Sequence, residues 1–209
     1  DLREDTPNLL KDLSISGESY YSGVTAKLVD ERDVNTRDII TIVTLETLLI
    51  LVLLFVLTRS IKMPIYMMAT ILLSYVSALG LGIFLVDILF GYDALSTRVP
   101  VYAFIFLVAL GIDYNIILVS RFIEERKIHR VKDALEVAIR NTGGVISSAG
   151  IILAATFAAL TTMPIADLFV FGFIVAIGIL LDTFLVRGML LPALILLFEK
   201  DKQASHNRQ

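Results

Sequence analysis

Five apolar runs, each about twenty residues or longer, dominate this 209-residue chain and limit what it can fold into. They read as residues 38–58, 64–90, 99–122, 143–162 and 168–198. A helix needs ~20 apolar residues to cross ~30 Å of hydrocarbon, and only helices or closed barrels satisfy every backbone group there. The predicted fold is an all-α integral membrane protein with five transmembrane helices. Composition agrees, because 56% of the residues are hydrophobic, mean hydropathy is +0.81 and soluble domains hold only about 45–50% apolar residues. The last run, at 1.5 Å per residue, makes a helix of ~45 Å, which must tilt or project beyond the bilayer.

Residues 1–37 are the one sizeable stretch outside these runs. Thr6 and Pro7 form a helix start signal, as N-cap and first-turn proline. The sequence "GESYYSGVTAKLV" reads as a short strand and turn rich in Tyr, Val and Thr. A segment this small cannot enclose a core, so it reads as the C-terminal remnant of a larger extracytoplasmic α/β domain. The opening "DLREDTPNLL" has neither the basic nor the apolar region of a signal peptide. With no initiating Met, the chain is expected to be a piece of a longer polypeptide.

Loop charges orient the helices. Arg59 and Lys62 lie in the first loop, and Arg121, Arg126, Lys127, Arg130, Lys132 and Arg140 in the third. Lys200, Lys202 and Arg208 lie in the tail 200–209, whereas the second loop holds only Arg98 and "TTMPIAD" holds no Lys or Arg. The basic segments and the C-terminus are therefore expected in the cytoplasm and residues 1–37 outside, in a multi-pass protein of the cell membrane. Apolar residues at 131, 134, 135, 138 and 139 have helical spacing, which predicts a cytoplasmic amphipathic helix over about 130–140, lying at the headgroups.

Several function classes drop out. The chain has no cysteine and only two histidines, His129 and His206, so disulfides and thiolate or His-rich metal sites are not expected. Net charge is -3, and no long basic tract argues for nucleic acid. No nucleophile-and-base arrangement or Gly-rich phosphate loop appears, so neither an enzyme nor an organic cofactor is expected. The fourth run, "GGVISSAGIILAATFAAL", is dense in small residues that let membrane helices approach closely.

What remains is polar chemistry at depth. Asp113 and Asp182 each lie ~21 Å in from the outer boundary, fourteen residues along their helices. Tyr114 adjoins Asp113, and Ser147 and Ser148 fall at a similar depth on the fourth run. Arg187 is about a turn and a half deeper, and Arg121 lies near the cytoplasmic boundary. Glu46, ~13 Å into the first run, is a weaker candidate, with lining of an outer water-filled vestibule as its competing reading. Charged side chains in hydrocarbon cost about 2.5–3.5 kcal/mol each on insertion scales and are retained where they pair, face a bundle interior or relay ions. A carboxylate balanced between desolvation and a nearby arginine can load and release a proton. Asp182 and Arg187, five residues apart, are splayed by about 140° on an α-helix. Cross-helix pairs, Asp113 with Arg187 or Asp182 with Arg121, are the better geometric expectation, with packing ion pairs as the competing reading.

The sequences "GIDYNIILVSRFIEE", "GGVISSAGIILAATFAAL" and "LLDTFLVRGMLLPALILL", with the basic loop between the first two, resemble the C-terminal half of an MMPL-type transporter. That family lies within the resistance-nodulation-division superfamily of proton-driven exporters. The sequence "SGVTAKLVDERD" is similar to the place where the family's second extracytoplasmic porter domain returns to the membrane. The resemblance implies a twelve-helix exporter of lipids or other hydrophobic molecules, of which the five spans are helices eight to twelve. It implies that Asp113 and Tyr114 form a proton relay with an Asp-Tyr pair on helix four, and that Asp182, Arg187 and Arg121 match charged family positions. The coupling ion would be H+, and no cofactor is implied. The implied partners are the lipid bilayer, a hydrophobic substrate, the N-terminal half of the transporter and a second copy of the chain. A departure is "FLVAL", where some members carry another acidic residue, so a second carboxylate would have to be Asp182. A sterol-sensing-like or secretion-accessory membrane module of the same superfamily is the alternative.

Overall fold

The computed structural model describes residues 24–91, 96 and 98–199, with side chains at 37, 39–91, 96 and 98–199. The chain divides into two units, residues 1–44 and 45–209. The helix start at Thr6 and Pro7, most of the expected strand and the tail 200–209 lie outside the described residues.

Described residues of the first unit, 24–44, are helical throughout and belong to α1, Val24–Thr58. The strand expected to extend through residues 24–29 is therefore helix. Ala26, Lys27 and Leu28 are strong helix formers, and no Gly or Pro separates them from the first apolar run. No strand is found among the described residues.

In the second unit α2 spans Lys62–Phe90, α3 Arg98–Glu125 and α4 Val131–Ala158. A 3₁₀ turn, Ala159–Thr162, then leads to α5, Ala166–Leu181, a π-helical segment, Asp182–Leu190, and α6, Leu191–Phe198. Among the described residues five helices are long and apolar enough to cross a membrane: Ile39–Thr58, Lys62–Phe90, Arg98–Glu125, Val131–Thr162 and Ala166–Phe198.

Local chemistry explains the ends. Gly91 stops α2 in the left-handed conformation, φ 65°, and gives its N–H to the Asp87 carbonyl at 2.9 Å. Pro100 sits in the first turn of α3, where a missing N–H costs nothing. Pro164 forces Met163 into extended backbone, ψ 140°, and so ends the 3₁₀ turn.

The segment expected as an amphipathic helix over about 130–140 is helical from Val131, and α4 continues unbroken from it into the fourth span. Val131, Ala134, Leu135 and Ala138 are buried within the described protein. Gly143 and Gly144 lower helix propensity without ending the helix, since the flanking residues carry the ladder through.

The third and fifth spans are the most enclosed, with 50% and 56% of their most apolar windows buried. They therefore form the centre of the unit. The core joins Ala78 and Val86 of α2, Ala103 and Leu107 of α3, Ala154 of α4, and Val170, Ile174, Val175 and Ile179 of α5. Gly178 makes this approach possible: a Cβ there would fall 2.7 Å from Leu107 Cδ2 and 2.9 Å from Ala78 Cβ. Such close contact suits membrane helices, whose association relies on packing more than on solvent exclusion.

Candidate functional site

The site begins with a change of helical register. From Asp182 the fifth span winds as a π-helix, and the Leu191 N–H closes on the Val186 carbonyl five residues back. The next residue, Pro192, has no N–H to give to the Arg187 carbonyl, so the wide register cannot continue and α geometry resumes. π-helical segments are rare and frequently lie at functional sites.

The wide turn stacks residues five apart. Arg187 Nη2 donates to Asp182 Oδ2 in a buried ion pair, with Asp182 only 6% exposed and Arg187 4%. The sequence expectation of a poor intrahelical pair is thus overturned, because it assumed α geometry throughout. The expected Asp182–Arg121 pair does not form. Arg121 instead pairs on its own helix with Glu124 at 2.8 Å and Glu125 at 2.7 Å, the natural i,i+3 and i,i+4 partners. Nor is Arg187 bonded to Asp113.

Three helices supply the rest of the site. From α3, Asn115 Oδ1 accepts its Nε–H at 3.2 Å, and the Gly111 and Leu110 carbonyls accept from Nη2 at 3.1 and 3.4 Å. The Tyr114 ring lies against the guanidinium, with Cζ 4.6 Å from the ring centroid, at cation–π range. From α2, the buried Ser74 hydroxyl lies alongside the Asp182 carboxylate. From α4, Gly150 leaves room for Thr183, since a Cβ at 150 would fall 2.8 Å from Thr183 Cγ2. The resulting cluster of Asp182, Arg187, Asn115, Tyr114 and Ser74 contains the opposite charges of one ion pair, with every member but the half-buried Tyr114 buried.

Asp113 stands differently. It lies midway along α3 but is exposed, on a stripe with Tyr102, Phe106, Ala109 and Ile117. Tyr114, the next residue, is half-buried and turns inward to Arg187. α3 thus presents a carboxylate on one side and, through Tyr114 and Asn115, grips the buried cation on the other.

The remaining sequence candidates lie apart from this cluster. Ser148 is exposed and bonds back to the Val145 carbonyl at 3.1 Å, and Ser147 is half-buried. Among the described residues neither serine bonds to the ion pair; α4 reaches the site through Gly150. Glu46 is half-buried on α1, and its Oε2 has no hydrogen-bond partner among the described residues. Asn115, Ser74 and Thr183 were missed as site residues. For Asn115 a signal existed: an amide in an apolar run, two residues past Asp113 and so on the opposite side of the helix.

Known proteins resemble this chain over nearly its whole length. The MMPL family profile matches residues 16–209. A membrane protein of Streptomyces coelicolor is 49% identical over 83% of this chain and 20% of its own length. The apo-petrobactin exporter of Bacillus anthracis is 44% identical over 92% of this chain and 26% of its own. The probable transport protein MmpL10 of Mycobacterium leprae is 41% identical over 91% of this chain and 18% of its own. The chain therefore spans about a fifth to a quarter of the length of these curated relatives.

Proposed function

This chain belongs to the MMPL family, and on that premise we propose that it is the C-terminal part of a proton-motive-force-driven exporter of lipids or other hydrophobic molecules. Asp113 and Tyr114 belong to its intramembrane proton relay, and the Asp182–Arg187 pair is the charged element the relay works against. Residues 1–37 lie outside the cell membrane and the C-terminus inside, as the loop charges indicate. The rest of the transporter supplies the helix that covers Asp113. A relative named as an exporter, 44% identical over 92% of this chain, supports the direction of transport.

The observation that carries this reading is Asp113 itself. A carboxylate exposed halfway along a membrane span is costly against lipid, so a protein or water-lined surface is needed over its face. Behind it, Tyr114 stacks on Arg187, so the charge state of Asp113 is felt by the buried pair. Proton uptake removes one of the two negative charges acting on Arg187. A proton moves a conformational equilibrium only through a difference in affinity between two states, and this change in charge balance supplies one. The helices carrying Arg187 and Asp113 then shift relative to each other, and the shift reaches the extracytoplasmic domain.

The test is export by the full-length protein with Asp113→Asn, which keeps the shape and removes the titration. Loss of export at normal expression supports the relay. Undiminished export overturns it and leaves the sterol-sensing-like or secretion-accessory module as the better reading.

A further inference from the structure

We infer that Asn115 is a positioning residue for Arg187: its side-chain carbonyl is a neutral anchor that keeps the guanidinium seated against Asp182 whatever the charge on Asp113. The inference rests on the proposed relay and adds a component that the Asp-Tyr pair does not contain.

Asn115 is 0% exposed in the middle of a membrane span, where an apolar side chain would pack without any polar group to satisfy. Its Oδ1 accepts the Arg187 Nε–H at 3.2 Å. Nε and Nη2 form one edge of the planar guanidinium, and that edge is fully engaged: Asn115 takes Nε, while Asp182 and the Gly111 and Leu110 carbonyls take Nη2. The ring of Tyr114 covers one face. A planar fork held at two points on one edge cannot rotate about either bond alone.

The neutrality of the anchor is the point. Two carboxylates act on Arg187, one bonded and one through space. If its only ties were to carboxylates, the guanidinium would follow whichever was charged. An amide accepts the same bond at every pH, so Asn115 holds its grip while the carboxyls exchange protons. Two residues earlier on the same helix, Asp113 faces outward, so any displacement of α3 moves the carboxylate and the anchor together. The groups facing the guanidinium are Tyr114 and Asn115 from α3 and Asp182 from its own span, with Ser74 of α2 beside the carboxylate and Asp113 turned outward on the far side of α3.

The test uses the full-length protein with Asn115→Leu, which keeps the volume and removes the acceptor, and Asn115→Asp, which keeps the acceptor and adds a charge. Asn115→Leu is expected to lower export at least about tenfold at normal expression, the scale of a lost hydrogen bond to a charged group. Asn115→Asp is expected to retain export but with a pH profile displaced by more than about half a unit, because a third carboxylate now shares Arg187. Wild-type export by Asn115→Leu, or a pH profile of Asn115→Asp that superimposes on wild type, overturns the inference. Should Asn115→Leu not accumulate, the Asn115→Asp profile decides alone. If Asp113→Asn abolishes export while both Asn115 variants behave as wild type, the relay stands and only this inference fails.

Discussion

Replacing Arg187 by Met removes the cation of the buried pair while keeping most of the side-chain volume. The Asp182 carboxylate then stays in a site 6% exposed, without its charged partner. Breaking a buried ion pair from one side costs about 3–5 kcal/mol, chiefly because the other charge is left uncompensated. The Asn115 carbonyl and the Tyr114 ring lose their contacts as well. Removing both charges, as Asp182→Leu with Arg187→Met, eliminates the stranded carboxylate. Such replacements are often neutral or stabilising, and the remaining loss is the unpaired Asn115 amide, about 1–3 kcal/mol. The double variant should therefore be more stable than Arg187→Met alone by about 2 kcal/mol. Reversible unfolding of the full-length protein and of both variants in mixed micelles measures the difference. A single variant within about 1 kcal/mol of wild type, or a double variant less stable than the single, would refute the buried-pair reasoning.

Other outcomes follow from the same geometry. Arg121→Gln should cost less unfolding free energy than Arg187→Met, because Arg121 is part-exposed and its partner Glu124 exposed, Glu125 alone of the three being buried; the same micelle assay separates the two. Gly150→Ala should cost about 1–3 kcal/mol by forcing a methyl group against Thr183, and thermal unfolding followed by size-exclusion fluorescence will show it as a lowered midpoint. Tyr75→Phe removes the hydrogen bond to the Pro100 carbonyl at 3.0 Å and should cost about 1 kcal/mol without reducing export.

The spans were legible in the sequence because hydrocarbon demands long apolar helices and the five runs have that length. The burial of Asp182 and Arg187 was legible for the same reason, since charges inside such runs are normally kept off lipid, whereas the outward face of Asp113 was not legible. Their partnership was not. Reading the fifth run as an α-helix separates residues 182 and 187 by most of a half-turn, whereas the wide turn ending before Pro192 stacks them. That proline was a visible signal, five residues past Arg187 and unable to donate in either register. Arg121 looked available for a cross-helix pair only while Glu124 and Glu125 were left out of account. The serines of α4 matched the depth of the carboxylates but not their direction, because depth counting fixes position along a helix and not around it. The strand expected through residues 24–29 failed on propensity, since Val and Thr were weighed more heavily than the Ala, Lys and Leu beside them.

The central claim is that proton movement at Asp113 acts on the Asp182–Arg187 pair. Its most direct test is proton flux in liposomes containing the full-length protein and an internal pH dye, with an imposed pH gradient. Wild-type protein should dissipate the gradient in the presence of its substrate, and Asp113→Asn protein, reconstituted to the same density, should not. Equal flux through both proteins would contradict the claim.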